Sequence, residues 1–143
     1  MEWGIDSVGI AVVTLCHDGQ GNYLLGKRSE KCSDEHSRWD LLGSGKVEFG
    51  ETNKEAIYRE VKEECGSDVI KIEYLGHREL IGEVEGSLMH RVPFDYLVQI
   101  DRDKVFNAEP EKCVEIKWFK LGDFPTSMHS QWPVFLERYK DKL

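Results

Sequence analysis

The sequence predicts an α/β (α+β) chain, an α/β/α sandwich in which a central β-sheet carries helices on both faces. Three observations predict it. Val8 to Cys16 sets Gly9, Ala11, Val13 and Leu15 among further apolar residues, so this strand has no face suited to water and reads as a central one, covered on both sides. Asn53 to Cys65 repeats apolar residues at Ile57, Val61 and Cys65, a spacing that stacks them on one helical face. Pro133 to Tyr139 reads as a terminal helix beginning near a proline, and a sheet covered on both faces needs a helix on each side.

The elements follow in chain order. Val8–Cys16 meets a second strand, Asn22–Arg28, across the turn-rich Asp18-Gly19-Gln20-Gly21, which makes a hairpin. SEKCSDEHSR, from Ser29 to Arg38, is polar and charged and reads as a surface loop, either a rim for a site or a plain connector. Trp39 to Leu42 then leads into Gly43-Ser44-Gly45. With Gly50, these glycines allow tight turns or a close backbone approach. Thr52 and Glu55 form a capping-box pattern at the start of the Asn53–Cys65 helix, and Gly66 suits the left-handed residue that stops it. Val69 to Ile81 and Leu88 to Ile100 have strand composition and should pair across a turn at Glu83–Ser87. Pro93 cannot donate to a ladder, which implies an edge or a bulge in the second of them. Lys112 to Phe119 gives a last strand.

A chain of 143 residues suits one domain, taken as residues 1–143. Its net charge of −8 argues against a broad surface for duplex nucleic acid, but leaves room for a small anionic substrate received by local cations. Cys16, Cys32, Cys65 and Cys113 are dispersed without a CxxC pair, and no histidine pattern suggests zinc, so reduced and mostly buried thiols are expected. With no leader-like start and no apolar run of membrane-spanning length, a cytoplasmic protein without membrane association is expected. Periodicity leaves monomer and homodimer equally open.

The chemistry is concentrated on the predicted helix. Glu60 and Glu64 stack one turn apart, and Glu63 lies on the flank one turn beyond Glu60. Like charges at such spacings cost roughly 0.2–0.5 kcal/mol per pair, and acids near a helix C-terminus oppose its dipole. Local stability therefore does not explain them. A solvated acidic face is one reading; a seat for Mg²⁺ or Mn²⁺, hard cations that prefer oxygen ligands, is the other.

The wider pattern favours the second. Gly45, five residues, Glu51, seven residues and then Arg59-Glu60-Val61-Lys62-Glu63-Glu64-Cys65-Gly66 closely resembles the signature of the MutT/Nudix hydrolases, with every fixed Gly, Glu and Arg position filled. Ser67 departs from it, standing where an apolar residue is usual. Tyr23 to Arg28 is similar to the family strand that delivers a basic side chain. Glu109-Pro110-Glu111-Lys112-Cys113 with Trp118-Phe119 resembles a segment of the nucleotide-hydrolysing branch.

The resemblance implies a Nudix-like sandwich with a mixed central sheet, and Mg²⁺-dependent hydrolysis of a diphosphate linkage in a nucleoside triphosphate or related nucleoside diphosphate derivative, Mn²⁺ being possible. It implies Glu60, Glu63 and Glu64 as metal ligands and Glu63, Glu64 and Arg59 as the catalytic set. Glu51 is either a further ligand or a loop anchor held by Arg59, and Glu48 lies where members often carry an extra acid. The general base is Glu63 or a later-loop acid, Glu109 or Glu111. Arg28 and Lys27 are expected to bind substrate phosphate, or to be a solvated strand end; His90 and Arg91 are further cations. Trp118, Phe119, Phe124 and Trp132 either stack on a base or belong to the core. Nucleotide sugars and dinucleoside polyphosphates are alternative substrates, and a non-catalytic nucleotide sensor or interaction module is an alternative function.

Overall fold

A computed structural model describes residues 2–143. Its elements are β1 (Gly9–His17), β2 (Asn22–Arg28), β3 (Trp39–Leu41), β4 (Gly45–Lys46), α1 (Asn53–Cys65), β5 (Val69–His77), β6 (Leu80–Val84), β7 (Ser87–Ile100), β8 (Cys113–Lys120) and α2 (Trp132–Tyr139). β1 lies at the centre of one mixed sheet. It runs parallel to β7, from Gly9 opposite Arg91 to His17 opposite Gln99, and antiparallel to β2 and β4. The sheet continues through β2 to β3 and β8, and through β7 to β5 and β6.

Both faces of this sheet are covered, because alternate residues of a strand point to opposite sides. Val12 and Cys16 of β1, with Leu24 of β2, pack against Ile57, Val61 and Cys65 of α1. Leu15, with Tyr23 and Leu25, packs against Trp132, Phe135 and Tyr139 of α2. The helix is bounded as its local chemistry predicts. Thr52 accepts from Glu55 N–H at 3.1 Å while Glu55 accepts from Thr52 N–H at 3.3 Å, and Gly66 closes the C-terminus at φ +70°. Ser67 is buried and replaces apolar packing by hydrogen bonds: its hydroxyl donates to Asp101 O and accepts from Asp101 N–H at 3.0 Å. Cys16, Cys65 and Cys113 are buried free thiols, as expected, and Cys32 is half-buried.

Two expectations are corrected. Val69–Ile81 is two strands, broken at Arg78–Glu79, and the hairpin turn is the tighter pair Glu85-Gly86, both at positive φ. Pro93 lies on a central strand, not an edge. Its carbonyl accepts from Arg78 N–H at 3.0 Å, but a proline cannot return the second bond that such an antiparallel pair exchanges. The neighbouring ladder breaks at that point and passes from β5 to β6.

The break is sealed by buried charge. Arg78 Nε and Nη2 donate to the two carboxylate oxygens of Asp95 at 2.8 Å each, and Tyr139 O–H donates to Asp95 Oδ2 at 2.6 Å. Among the described residues no helix is long and apolar enough to cross a membrane.

Candidate active site

The loop between β3 and α1 is built to receive the end of the helix. Buried Thr14 on β1 donates its hydroxyl to Leu42 O at 2.6 Å, and its N–H donates to Ser44 Oγ at 3.0 Å. Gly43 between them has φ +85°, and a Cβ there would lie 2.6 Å from Thr14 Oγ1 and 2.8 Å from a Val61 methyl. Glycine is therefore required by both space and conformation. The backbone so fixed turns the Gly43 N–H toward α1, where it donates to Glu64 Oε2. Gly45 has an ordinary backbone conformation, yet a Cβ would collide with the Glu60 carboxylate. The loop thus cradles Glu60 and Glu64.

These acids are close enough to disturb one another. Glu64 is pushed up to about 8, first by burial and then by the charges of Glu60, Glu109 and Asp40, while the Gly43 N–H pulls it down. Burial also raises Glu60; Arg59 opposes this, and Glu63 and Glu109 add to it. Arg59 is the local counter-charge. Its Nε and Nη2 grip both oxygens of Glu51, its Nη1 reaches Glu60 Oε1 at 2.6 Å, and Nη2 also donates to Lys46 O at 2.9 Å. Glu63 is more exposed, 3.5 Å from Arg59 Nη1.

Among the described residues no three His, Cys, Asp or Glu side chains converge as a ready cation cage. The donor set nevertheless suits Mg²⁺ or Mn²⁺ in kind: it offers carboxylates, and the mutual repulsion of Glu60, Glu64 and Glu109 is what a hard cation relieves. Full use of Glu60 requires it to release Arg59.

A cleft of 560 Å³ runs from this acidic end across the sheet, lined by Glu64 and Glu109, by Ala11 and Val13 of β1, and by Gln131 and Trp132 at α2. Lys27, Arg28, Lys46 and Arg91 also line it. Arg28 is less free than expected, since it donates to Asp34 at 2.9 Å and to Asp40 at 3.3 Å. Of the later-loop acids, Glu109 lines the cleft whereas Glu111 lies on a neighbouring hollow. Phe119 and Phe124 pack edge-on at 6.2 Å, Phe124 tilts on Trp132 at 4.9 Å, and Trp118 carries the Arg102 guanidinium. The expected stacking candidates are thus spent in packing, although Trp132 also reaches the cleft wall. The aromatic the sequence reading missed is Trp3, which lines the cleft from a segment ahead of β1. A lone tryptophan outside any periodic element gives no sequence signal of its place.

Comparison with known proteins identifies the family. The NUDIX domain family matches residues 7–139. Over 129 residues the chain is 31% identical to RNA pyrophosphohydrolase of Acinetobacter baylyi, covering 89% of this chain and 67% of that protein. Over 81 residues it is 35% identical to CTP pyrophosphohydrolase of Escherichia coli, covering 57% of each. The chain thus spans about two thirds and just over half of these two relatives. The crystal structure of a MutT NUDIX hydrolase from Burkholderia pseudomallei superposes with a TM-score of 0.78 at 26% identity, covering 92% of this chain and 98% of that one. The MutT protein of Methanosarcina mazei, at 24% identity, shares the fold with a TM-score of 0.76, over 99% of this chain and 97% of that one. The chain belongs to the NUDIX domain family and is a Nudix hydrolase, one of a class that cleaves diphosphate linkages.

Proposed function

We propose that this hydrolase, acting as one domain over residues 1–143, cleaves a nucleoside triphosphate or a related nucleoside diphosphate derivative with the help of Mg²⁺, or alternatively Mn²⁺. The observation that carries the reading is the placement of Glu64: its carboxylate is held by Gly43 N–H at one end of a cleft, with Glu60, Glu109 and Asp40 near enough to raise it to about 8. Such an arrangement is unfavourable without a cation. Glu60, Glu63 and Glu64 would hold that cation, with Glu51 as an outer member. When bound, it supplies charge neutralisation for the phosphates and a lowered pKa for water.

The chain's own residues do the remaining work. Arg59 positions Glu51 and Glu60 through charge-assisted bonds. Lys27, and Arg28 once partly released from Asp34 and Asp40, receive substrate phosphate at the rim. Glu63 or Glu109 accepts the proton of the attacking water; the new P–O bond forms as the bond to the bridging oxygen breaks, and that oxygen leaves with the other phosphate. Relatives named for RNA and for CTP pyrophosphohydrolysis support a nucleotide on one side of the linkage.

A substrate panel tests this reading. Nucleoside triphosphates, nucleotide sugars and dinucleoside polyphosphates are incubated with Mg²⁺, with Mn²⁺ and with chelator, and the products are identified. Turnover of a nucleoside triphosphate or nucleoside diphosphate derivative that stops on chelation is expected. Turnover indifferent to chelator, or none with any compound, contradicts it.

A further inference from the structure

Arg28 reaches the cleft already engaged. Its Nε donates to the Asp34 carbonyl oxygen at 3.1 Å, its Nη2 to Asp34 Oδ1 at 2.9 Å and its Nη1 to Asp40 Oδ2 at 3.3 Å. One guanidinium thus faces two carboxylates. The edge formed by Nε and Nη2, a fork that suits phosphate as well as carboxylate, is closed by a single residue, Asp34. An anion approaching Arg28 meets charge of its own sign unless one of the two acids yields.

The two acids are not equally held. The Asp40 side chain is 29% exposed, and its other oxygen accepts from Leu41 N–H at 2.8 Å. Asp34 is 70% exposed, and among the described residues its carboxylate has no partner but Arg28. A carboxylate so exposed regains water as it leaves, and an exposed ion pair is weak. Asp34 is therefore the acid that gives way.

Its release has a consequence for the Ser29–Arg38 loop, which is fixed on either side of it. Ser29 N–H donates to Lys112 O at 2.9 Å and its hydroxyl to Glu111 O at 2.5 Å, while Glu35 Oε1 accepts from Ser130 N–H at 2.8 Å. Between these ties Lys31, Cys32 and Ser33 line the cleft. Two contacts bind that stretch to the rest of the fold: the Cys32 thiol, a weak donor, to Lys112 O at 3.2 Å, and the fork of Arg28 on Asp34.

We propose that Asp34 is an internal competitor for the substrate: in the free protein it occupies the fork of Arg28, and an arriving phosphate displaces it and loosens the Lys31–Asp34 stretch at the rim of the cleft. Asp34 returns to the fork as the phosphate product leaves. Occupancy of the cleft and the state of the loop are thereby coupled through one guanidinium. The inference rests on the reading in which Arg28 receives substrate phosphate.

Imidodiphosphate, a diphosphate analogue whose bridging nitrogen resists hydrolysis, tests it without requiring turnover. Its binding with Mg²⁺ is measured by titration calorimetry, beside deuterium uptake of the Lys31–Asp34 amides. The unaltered protein is expected to bind the analogue and to exchange these amides faster when it is bound. Asp34→Asn keeps the size of the side chain but removes the competing charge, and is expected to bind about threefold more tightly, the scale of an exposed ion pair. Made in an Arg28→Gln background, the same substitution is expected to change affinity by less than about 1.5-fold, which separates competition for Arg28 from the mere loss of a negative charge. Affinity of Asp34→Asn within about 1.5-fold of the unaltered protein, equal tightening in the Arg28→Gln background, exchange that the analogue does not raise, or no binding at all overturns the proposal. A silent substrate panel would instead overturn the hydrolytic reading and leave these comparisons standing.

Discussion

Arg59 holds Glu51 through two parallel bonds, Nε to Oε2 at 2.8 Å and Nη2 to Oε1 at 2.9 Å. A fork of this kind fixes direction as well as distance. It ties the helix to the loop that precedes it, since Glu51 Oε1 also accepts from Glu48 N–H at 3.0 Å. Glu51 is lowered to about 2, chiefly by its hydrogen bond from Arg59. A carboxylate whose folded pKa is depressed contributes stability above its unfolded value, and that contribution disappears as pH falls through the folded one. Arg59→Lys, which cannot form the fork, should therefore lose activity at neutral pH. Its stability deficit relative to the unaltered protein, read by urea unfolding, should shrink as pH falls from about 4.5 to 2.

Glu64 has the opposite sign. Its folded pKa is raised to about 8, so the metal-free fold is favoured by protonation. The contribution is fully present below the unfolded value near 4.5 and is lost as pH rises toward 8. Thermal melts of metal-free protein should show stability falling across that window, and Glu64→Gln should flatten the fall. Added Mg²⁺ should restore stability to the unaltered protein near pH 8 and do little for the variant.

Gly45→Ala separates site from scaffold. Gly45 has no positive φ, so the backbone accepts alanine, but the new methyl would meet the Glu60 carboxylate. Turnover should drop by at least tenfold while the melting temperature moves by only a few degrees. Parallel assays of rate and melting decide it.

The Arg78–Asp95 pair carries stability of another kind. Asp95 is fully buried and Arg78 nearly so, and removing one partner of such a pair strands the other charge, at a cost of roughly 3–5 kcal/mol. Asp95→Ala should show a loss of that order in denaturant unfolding. Tyr139→Phe, which deletes one hydrogen bond to Asp95, should cost about 1–2 kcal/mol.

How much of this was legible in the chain follows from the range of each interaction. α1 could be bounded to the residue because Thr52, Glu55 and Gly66 act within one turn of its ends. β1 read as central because its apolar residues serve two faces. The break between β5 and β6 was missed because its cause, Pro93, lies 15 residues beyond Arg78 and acts only across the sheet. The pairing of Arg78 with Asp95 was hidden for the same reason, as was that of Arg28 with Asp40 on the neighbouring strand. Within the site, spacing on one helix exposed Glu60, Glu63 and Glu64. The contact of Trp3 with Lys46 and Arg91 joins three separate segments and leaves no local trace.

The central claim is that Glu64, seated on Gly43 N–H, serves the cleavage of the diphosphate linkage. The most direct measurement is kcat/KM for Glu64→Gln with Mg²⁺, on whichever compound the unaltered protein hydrolyses, beside a melting curve for each. A fall of at least about a hundredfold with an unchanged or raised melting temperature is expected. A variant that folds and turns over within threefold of the unaltered protein would contradict the assignment.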